Sequence, residues 1–157
     1  MLTSDSVLKC NEFANVDGVL ILEHRREGKL LALREMPNLE MDLYKDIRAN
    51  LRIGGGDTPP THIAIGTGTT AVAVGDTEME TQVGSRGAAT RSQTTITVAN
   101  DTAQYTHTFT LGSDTNVTEA GLLNASSDGT LCYHRAFTAI PCLEDDTLKV
   151  TWRSKST

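Results

Sequence analysis

Aromatic side chains are scarce in this chain. Three Phe, three Tyr and one Trp in 157 residues supply few large anchors, so any core is modest and built mainly from Val, Ile, Leu and Ala. Cysteine is sparse as well. Cys10, Cys132 and Cys142 are odd in number and irregularly spaced, which is no disulfide framework, and no C-x-x-C pair is present for zinc or redox chemistry. Reduced thiols are expected, although Cys132 and Cys142 would face each other if their strands paired. No apolar run approaches the roughly 20 residues of a membrane span. The start, MLTSDSVLKC, lacks the basic-then-apolar pattern of a secretory signal. These absences predict a protein made in a cytoplasm, with no membrane partner. Positive charge is also short: 14 Lys and Arg against 20 Asp and Glu give a net charge of -6. A chain so charged is not drawn to phosphate backbones, and its basic residues are dispersed, so no nucleic-acid partner is expected.

The signatures of catalysis are missing in the same way. Gly54-Gly55-Gly56 and Gly66-Thr67-Gly68-Thr69-Thr70 lack the lysine of a phosphate-binding loop, and Gly84-Ser85 belongs to no G-x-S-x-G elbow. His62, His107 and His134 fall on three separate expected strands, with no H-x-H pair to seat two metal ligands on one face. A zinc hydrolase built on them is the enzyme competitor; packed histidines are the expectation. Asp114, Asp128, Asp145 and Asp146 read as turn residues, and no EF-hand spacing surrounds them. Glu119 stands apart, an acid set in an otherwise apolar strand. Arg86, Arg91 or Arg135 are its expected ion-pair partners, in a pair that sets strand register more than it stabilises. The chain is therefore expected to be no enzyme and to hold neither metal nor cofactor.

What the sequence does contain is β-pattern. Residues 1 to 15 read as a polar arm. Val16–Leu22 and Lys29–Arg34 flank the turn His24-Arg25-Arg26-Glu27-Gly28 and predict an antiparallel hairpin, whose doubly apolar strand includes Val19 and Ile21. After Pro37, with Asn38 as N-cap, Leu39, Leu43, Ile47 and Leu51 recur every four residues beside Tyr44, predicting one amphipathic helix over 39–52. The glycines and prolines of 54–60 mark a linker. Beyond it, Thr61–Ile65, Arg86–Arg91, Thr94–Val98, Thr102–Leu111, Val117–Leu123, Thr130–Thr138 and Thr147–Arg153 are expected strands, with a short helical turn after Asp76. Tyr105, His107, Phe109 and Leu111 share one face, and Leu148, Val150 and Trp152 point inward. The predicted architecture is mainly β, an antiparallel β-sandwich with an N-terminal hairpin and one helix. It divides into residues 1–56 (arm, hairpin and helix) and 57–157 (the sandwich).

Several of these stretches resemble segments of tailed-bacteriophage virion proteins. THIAIGTGTT (61–70) followed by GDTEMETQV (75–83) is similar to their "HIAVGTGTT" strand and loop and the "DTxLxxEV" turn after it. EAGLLNA (119–125) resembles "EAGLFNA", Thr130–Phe137 resembles "GTLLARxxF", and DTLKVTW (146–152) resembles the closing "DTLTVTW" strand. The departures are Gln82 for an acid, Leu123 for an aromatic, and the polar tail Arg153-Ser154-Lys155-Ser156-Thr157. The resemblance implies a non-enzymatic virion protein, foremost a capsid decoration protein that binds and stabilises neighbouring capsid subunits. A head–tail, neck or tail-fibre-associated protein, with host-receptor or glycan binding, is the alternative. Its implied partners are the major capsid protein or other virion proteins and further copies of itself, as a trimer. Val19, Ile21, Leu39, Leu43, Tyr44, Ile47 and Leu51 are the anchoring candidates.

Overall fold

The computed structural model describes residues 18–156; the expected arm, the start of the hairpin at Val16 and Cys10 lie outside them. The described residues are mainly β, with two antiparallel sheets and one helix among them, and the chain divides into two compact units. The first comprises the chain up to Asn38, Thr90–Thr115 and the chain from Pro141; the second comprises Leu39–Ala89 and Asn116–Ile140. This division cuts across the expected 1–56 and 57–157 segments. The hairpin is two strands of the first unit's sheet, whereas the helix belongs to the second unit.

In the first unit, strands β1 (Gly18–Arg26), β2 (Lys29–Pro37), β5 (Thr90–Thr94), β6 (Thr102–Thr110) and β9 (Thr147–Lys155) form a sheet in the order β2-β1-β9-β6-β5. Three rows cross its middle in register: Leu20–Trp152–Tyr105, Leu22–Val150–His107 and His24–Leu148–Phe109. Paired residues share a face, so the period-two pattern of three distant segments becomes one apolar surface. Leu20, Leu148, Val150 and Trp152 are fully buried, each such side chain contributing about 1.5–3 kcal/mol by transfer from water. The hairpin turn is only Glu27-Gly28, with φ of 50° and 79°, the two positive values that a tight hairpin turn requires. The expected turn from His24 is thus shorter, because His24 and Arg26 remain on β1 and bind a carboxylate across the sheet. Ala32 pairs with His24 and Leu30 with Arg25, leaving Leu31 as a bulge. That bulge, with Lys29 and Pro37 at the strand ends, blunts the β2 edge against further pairing.

Of the expected strand Thr94–Val98 only Thr94 is on a strand, as the last residue of β5, and the chain bends away after it. The Asp101 carboxylate accepts the amides of Ile96, Thr97 and Val98 at 2.9, 3.0 and 2.9 Å, which curls the backbone away from any ladder. Those amides, Val98 first and then Ile96, hold the Asp101 carboxyl well below the usual carboxylate range. The expected strand 86–91 is likewise split, into β4 (Gly87–Ala88) and β5.

The second unit holds a sheet in the order β4-β3-β7-β8, with β3 His62–Gly66, β7 Thr115–Leu123 and β8 Leu131–Cys142, and helix α1 (Asp42–Arg52). The helix begins later than residue 39, with Met41 as N-cap. Residues 39–41 are spent on β8 instead: Met41 N–H donates to Cys132 O, His134 N–H donates to Leu39 O, and Glu40 bridges to Tyr133. Asn38 is not the cap, and its amide donates to Gly18 O. Asp42 in the first turn and Arg52 in the last complement the helix dipole. Tyr44 is the buried residue of α1, edge-on to Tyr133 at 5.3 Å between ring centroids. Met41, Ala64, Met79, Leu123 and Leu131 form a core with Leu39 and Val72 against it. No helix forms after Asp76; Met79 reaches this core from an irregular loop. Strand β8 runs past the expected end at Thr138 and through Pro141. Cys132 and Cys142 therefore lie on one strand and cannot face each other; both are buried free thiols.

Candidate functional site

Glu119 is the organising residue of the second unit. It sits on β7 with 1% of its surface exposed, and burial of a carboxylate is tolerated only with a full set of donors. Oε1 accepts Thr81 N–H at 2.8 Å and Gly68 N–H at 3.3 Å; Oε2 accepts Glu80 N–H at 3.3 Å and lies 2.8 Å from His134 Nε2. Thr118, the residue before, donates its hydroxyl to Gly68 O at 2.6 Å. Two adjacent residues of β7 thereby fasten the loop after β3 and the loop 76–82. Glycine is required at both close approaches. A Cβ on Gly66 would strike Glu119 Oε1 and the Thr81 carbonyl, and one on Gly68 would lie 2.6 Å from Glu80 Cβ and 2.8 Å from Glu119 Oε1.

The partner is a histidine and none of the arginines. Among the described residues no arginine pairs with Glu119. Arg135 follows His134 on β8, and consecutive strand residues point to opposite faces. Arg86 instead clamps the 124–129 turn, donating to Ala125 O at 3.0 Å and Asp128 O at 2.7 Å. Arg91 is exposed on β5.

His134 lines a pocket of about 340 Å³ together with Thr70, Ala71, Asp76, Glu78, Met79 and Glu80. Glu80 secures one wall, accepting Thr70 N–H and the Thr70 hydroxyl, each at 2.8 Å. Asp76 Oδ2 accepts Ala73 N–H at 3.0 Å and stands 3.5 Å from His134 Nδ1, which has no hydrogen-bond partner. The other histidines lie elsewhere. His62 contacts the Thr61 hydroxyl at 2.8 Å, and His107 packs edge-on to Phe109. Among the described residues no group of three His, Cys, Asp or Glu side chains is placed to hold a metal ion.

The first unit has its own buried carboxylate. Asp146, read from sequence as a solvated turn residue, is 1% exposed. It accepts Arg26 Nε and Nη2 at 2.9 and 2.8 Å, accepts Leu143 N–H at 2.8 Å, and lies 2.7 Å from His24 Nε2. The Arg26 bonds, with help from Leu143 N–H and His24, hold its carboxyl well below the usual range. Sequence reading missed this cluster, since its members are about 120 positions apart.

The seven anchoring candidates do not form one exposed surface. Val19, Ile21 and Tyr44 are buried, Leu39, Ile47 and Leu51 are half-buried, and Leu43 is 53% exposed. Other exposed apolar side chains are Leu30, Leu31, Ile53, Val74, Val98 and Leu143. No helix among the described residues is long and apolar enough to cross a membrane. No known protein family, curated protein or solved structure matches the chain.

Proposed function

We propose that the chain is a non-enzymatic structural protein of a tailed-bacteriophage virion, a decoration subunit that clamps neighbouring capsid subunits. One observation carries the reading. The segments that resemble virion proteins meet around buried carboxylates whose bonds fasten backbone to backbone. THIAIGTGTT, GDTEMETQV and EAGLLNA close on Glu119, and DTLKVTW begins with Asp146. Such acids serve stapled, rigid loops, which a component loaded by its neighbours needs. In this reading the two sheets are the layers of an antiparallel sandwich, and copies associate as a trimer with the major capsid protein as the larger partner. Leu43, exposed on α1, and Ile53, 85% exposed just past its end, are the side chains offered to a neighbour in the particle. Modest single contacts suffice there, because repetition on a shell multiplies them.

Quantitative mass spectrometry of purified particles tests this. Copies in proportion to the major capsid protein are the expected result. A protein absent from particles overturns the virion reading, and a handful of copies moves it to the neck or tail.

A further inference from the structure

We infer that strand β5 is a self-recognition edge, pairing antiparallel with β5 of a second copy across a two-fold axis at Ser92. In the first unit's sheet β5 is the last strand and pairs with β6 alone; among the described residues no strand pairs with its outer side. Such a side is a row of backbone N–H and C=O groups presented to another strand. The ladder to β6 runs from Thr90–Thr106 to Thr94–Thr102 without a register shift, and the strand contains no proline, glycine or lysine. Thr90, Arg91, Ser92 and Gln93 are exposed, and Thr94 is half-buried. The opposite edge, β2, is interrupted by the Leu31 bulge and has Lys29 and Pro37 at its ends. One edge is guarded against pairing, and the other is open to it.

The sequence of this edge selects a second copy as its occupant. Pairing centred on Ser92 sets Ser92 opposite Ser92, Arg91 opposite Gln93 and Thr90 opposite Thr94, the last two contacts occurring twice by symmetry. Opposed residues have the same parity in this register. Whichever alternate residues turn their N–H and C=O outward therefore meet one another, and the ladder closes in either case. The side chains match as well. Arg91 carries only N–H donors; Gln93, whose Nε2 donates to Asn100 O at 3.5 Å, has its Oε1 left to accept from it. Opposed threonines are favourable cross-strand pairs. Charge points to the same place. The chain carries -6 overall, yet residues 87–100 contain no acid and Arg91 as their one base, so two copies approach there with least repulsion. The product is one continuous sheet of two five-stranded halves. So short a contact is weak alone and gains by repetition.

Sedimentation equilibrium of the full chain over a concentration series tests this, with dimerisation as the expected result. Gln93→Glu, which sets an acid opposite Arg91 twice, should tighten the dimer about three- to tenfold, and Gln93→Lys, which opposes like charges, should weaken it by a similar factor. Arg91→Glu combined with Gln93→Lys should dimerise like Gln93→Glu, because only the facing of the two positions matters. In a Cys10→Ser background, Ser92→Cys should link to itself through a short bis-maleimide, while the buried Cys132 and Cys142 stay unlabelled. A chain monomeric at every concentration, an association that the charge variants leave unchanged, or a Ser92→Cys variant that does not cross-link overturns the inference. So does protection of β5 from hydrogen exchange in particles without any dimer in solution, which assigns the edge to another virion protein. A chain that dimerises through β5 but is absent from particles refutes the virion reading alone. A chain present in particles with no β5 contact refutes this inference alone.

Discussion

Glu119→Ala removes the acceptor for four donors at once: the amides of Gly68, Glu80 and Thr81, and His134 Nε2. The Glu80 and Thr81 amides are only part-buried, so water takes them over at little cost. The Gly68 amide and the imidazole are enclosed, and each orphaned buried donor costs about 1–3 kcal/mol. The expected loss is therefore about 3–5 kcal/mol, a large share of the roughly 5–15 kcal/mol that stabilises a domain. Glu119→Gln is milder. Its carbonyl oxygen keeps Gly68 and Thr81, while the part-buried Glu80 amide and His134 Nε2 now face the new amide group, so a loss of about 1–2 kcal/mol is expected. Urea unfolding at neutral pH measures both, and limited proteolysis should show new cleavage within 67–82 only in the alanine variant. If Glu119→Ala costs under about 0.5 kcal/mol, or matches Glu119→Gln, the carboxylate is not what holds these loops.

Four further outcomes follow from the same structure. Gly66→Ala, whose Cβ meets a backbone carbonyl as well as Glu119, should destabilise by about 1–3 kcal/mol in the same urea assay, the usual range for overpacking. Because Asp146 has a folded-state pKa depressed chiefly by Arg26, the unfolded chain binds the extra proton first; this contribution is full above about pH 4–5 and is lost as pH falls further. Asp146→Asn should accordingly flatten the acid limb of a stability-versus-pH curve, and an unchanged limb refutes the assignment. Burial pushes Cys132 up to about 12 and Cys142 up to about 11, so iodoacetamide at pH 8 should leave both unlabelled in native protein and label both in denaturant, as peptide mass mapping will show. Leu43→Asp at a 53% exposed position should change stability by less than about 0.5 kcal/mol yet reduce copies bound to particles. Full retention on particles would remove Leu43 from the proposed contact.

The sequence by itself determined the strand content and the inward faces. Tyr105, Phe109, Leu148, Val150 and Trp152 were identifiable because a strand's period of two is a local property, readable without knowing any partner. It also determined that Glu119 was unusual, since an acid among apolar strand residues must be compensated somewhere. Which group compensates it was decided by strand order, which places His134 beside Glu119 and turns Arg135 away. The helix start and the strand expected at 94–98 were lost for a related reason: residues 39–41 add to β8, and Asp101 gathers three amides, each a hydrogen bond that overrides local propensity. The Asp146 cluster was likewise decided only in three dimensions. His24 and Arg26 read as a charged turn until β1 is laid against β9, because a carboxylate about 120 positions away leaves no periodic trace in the residues that will surround it.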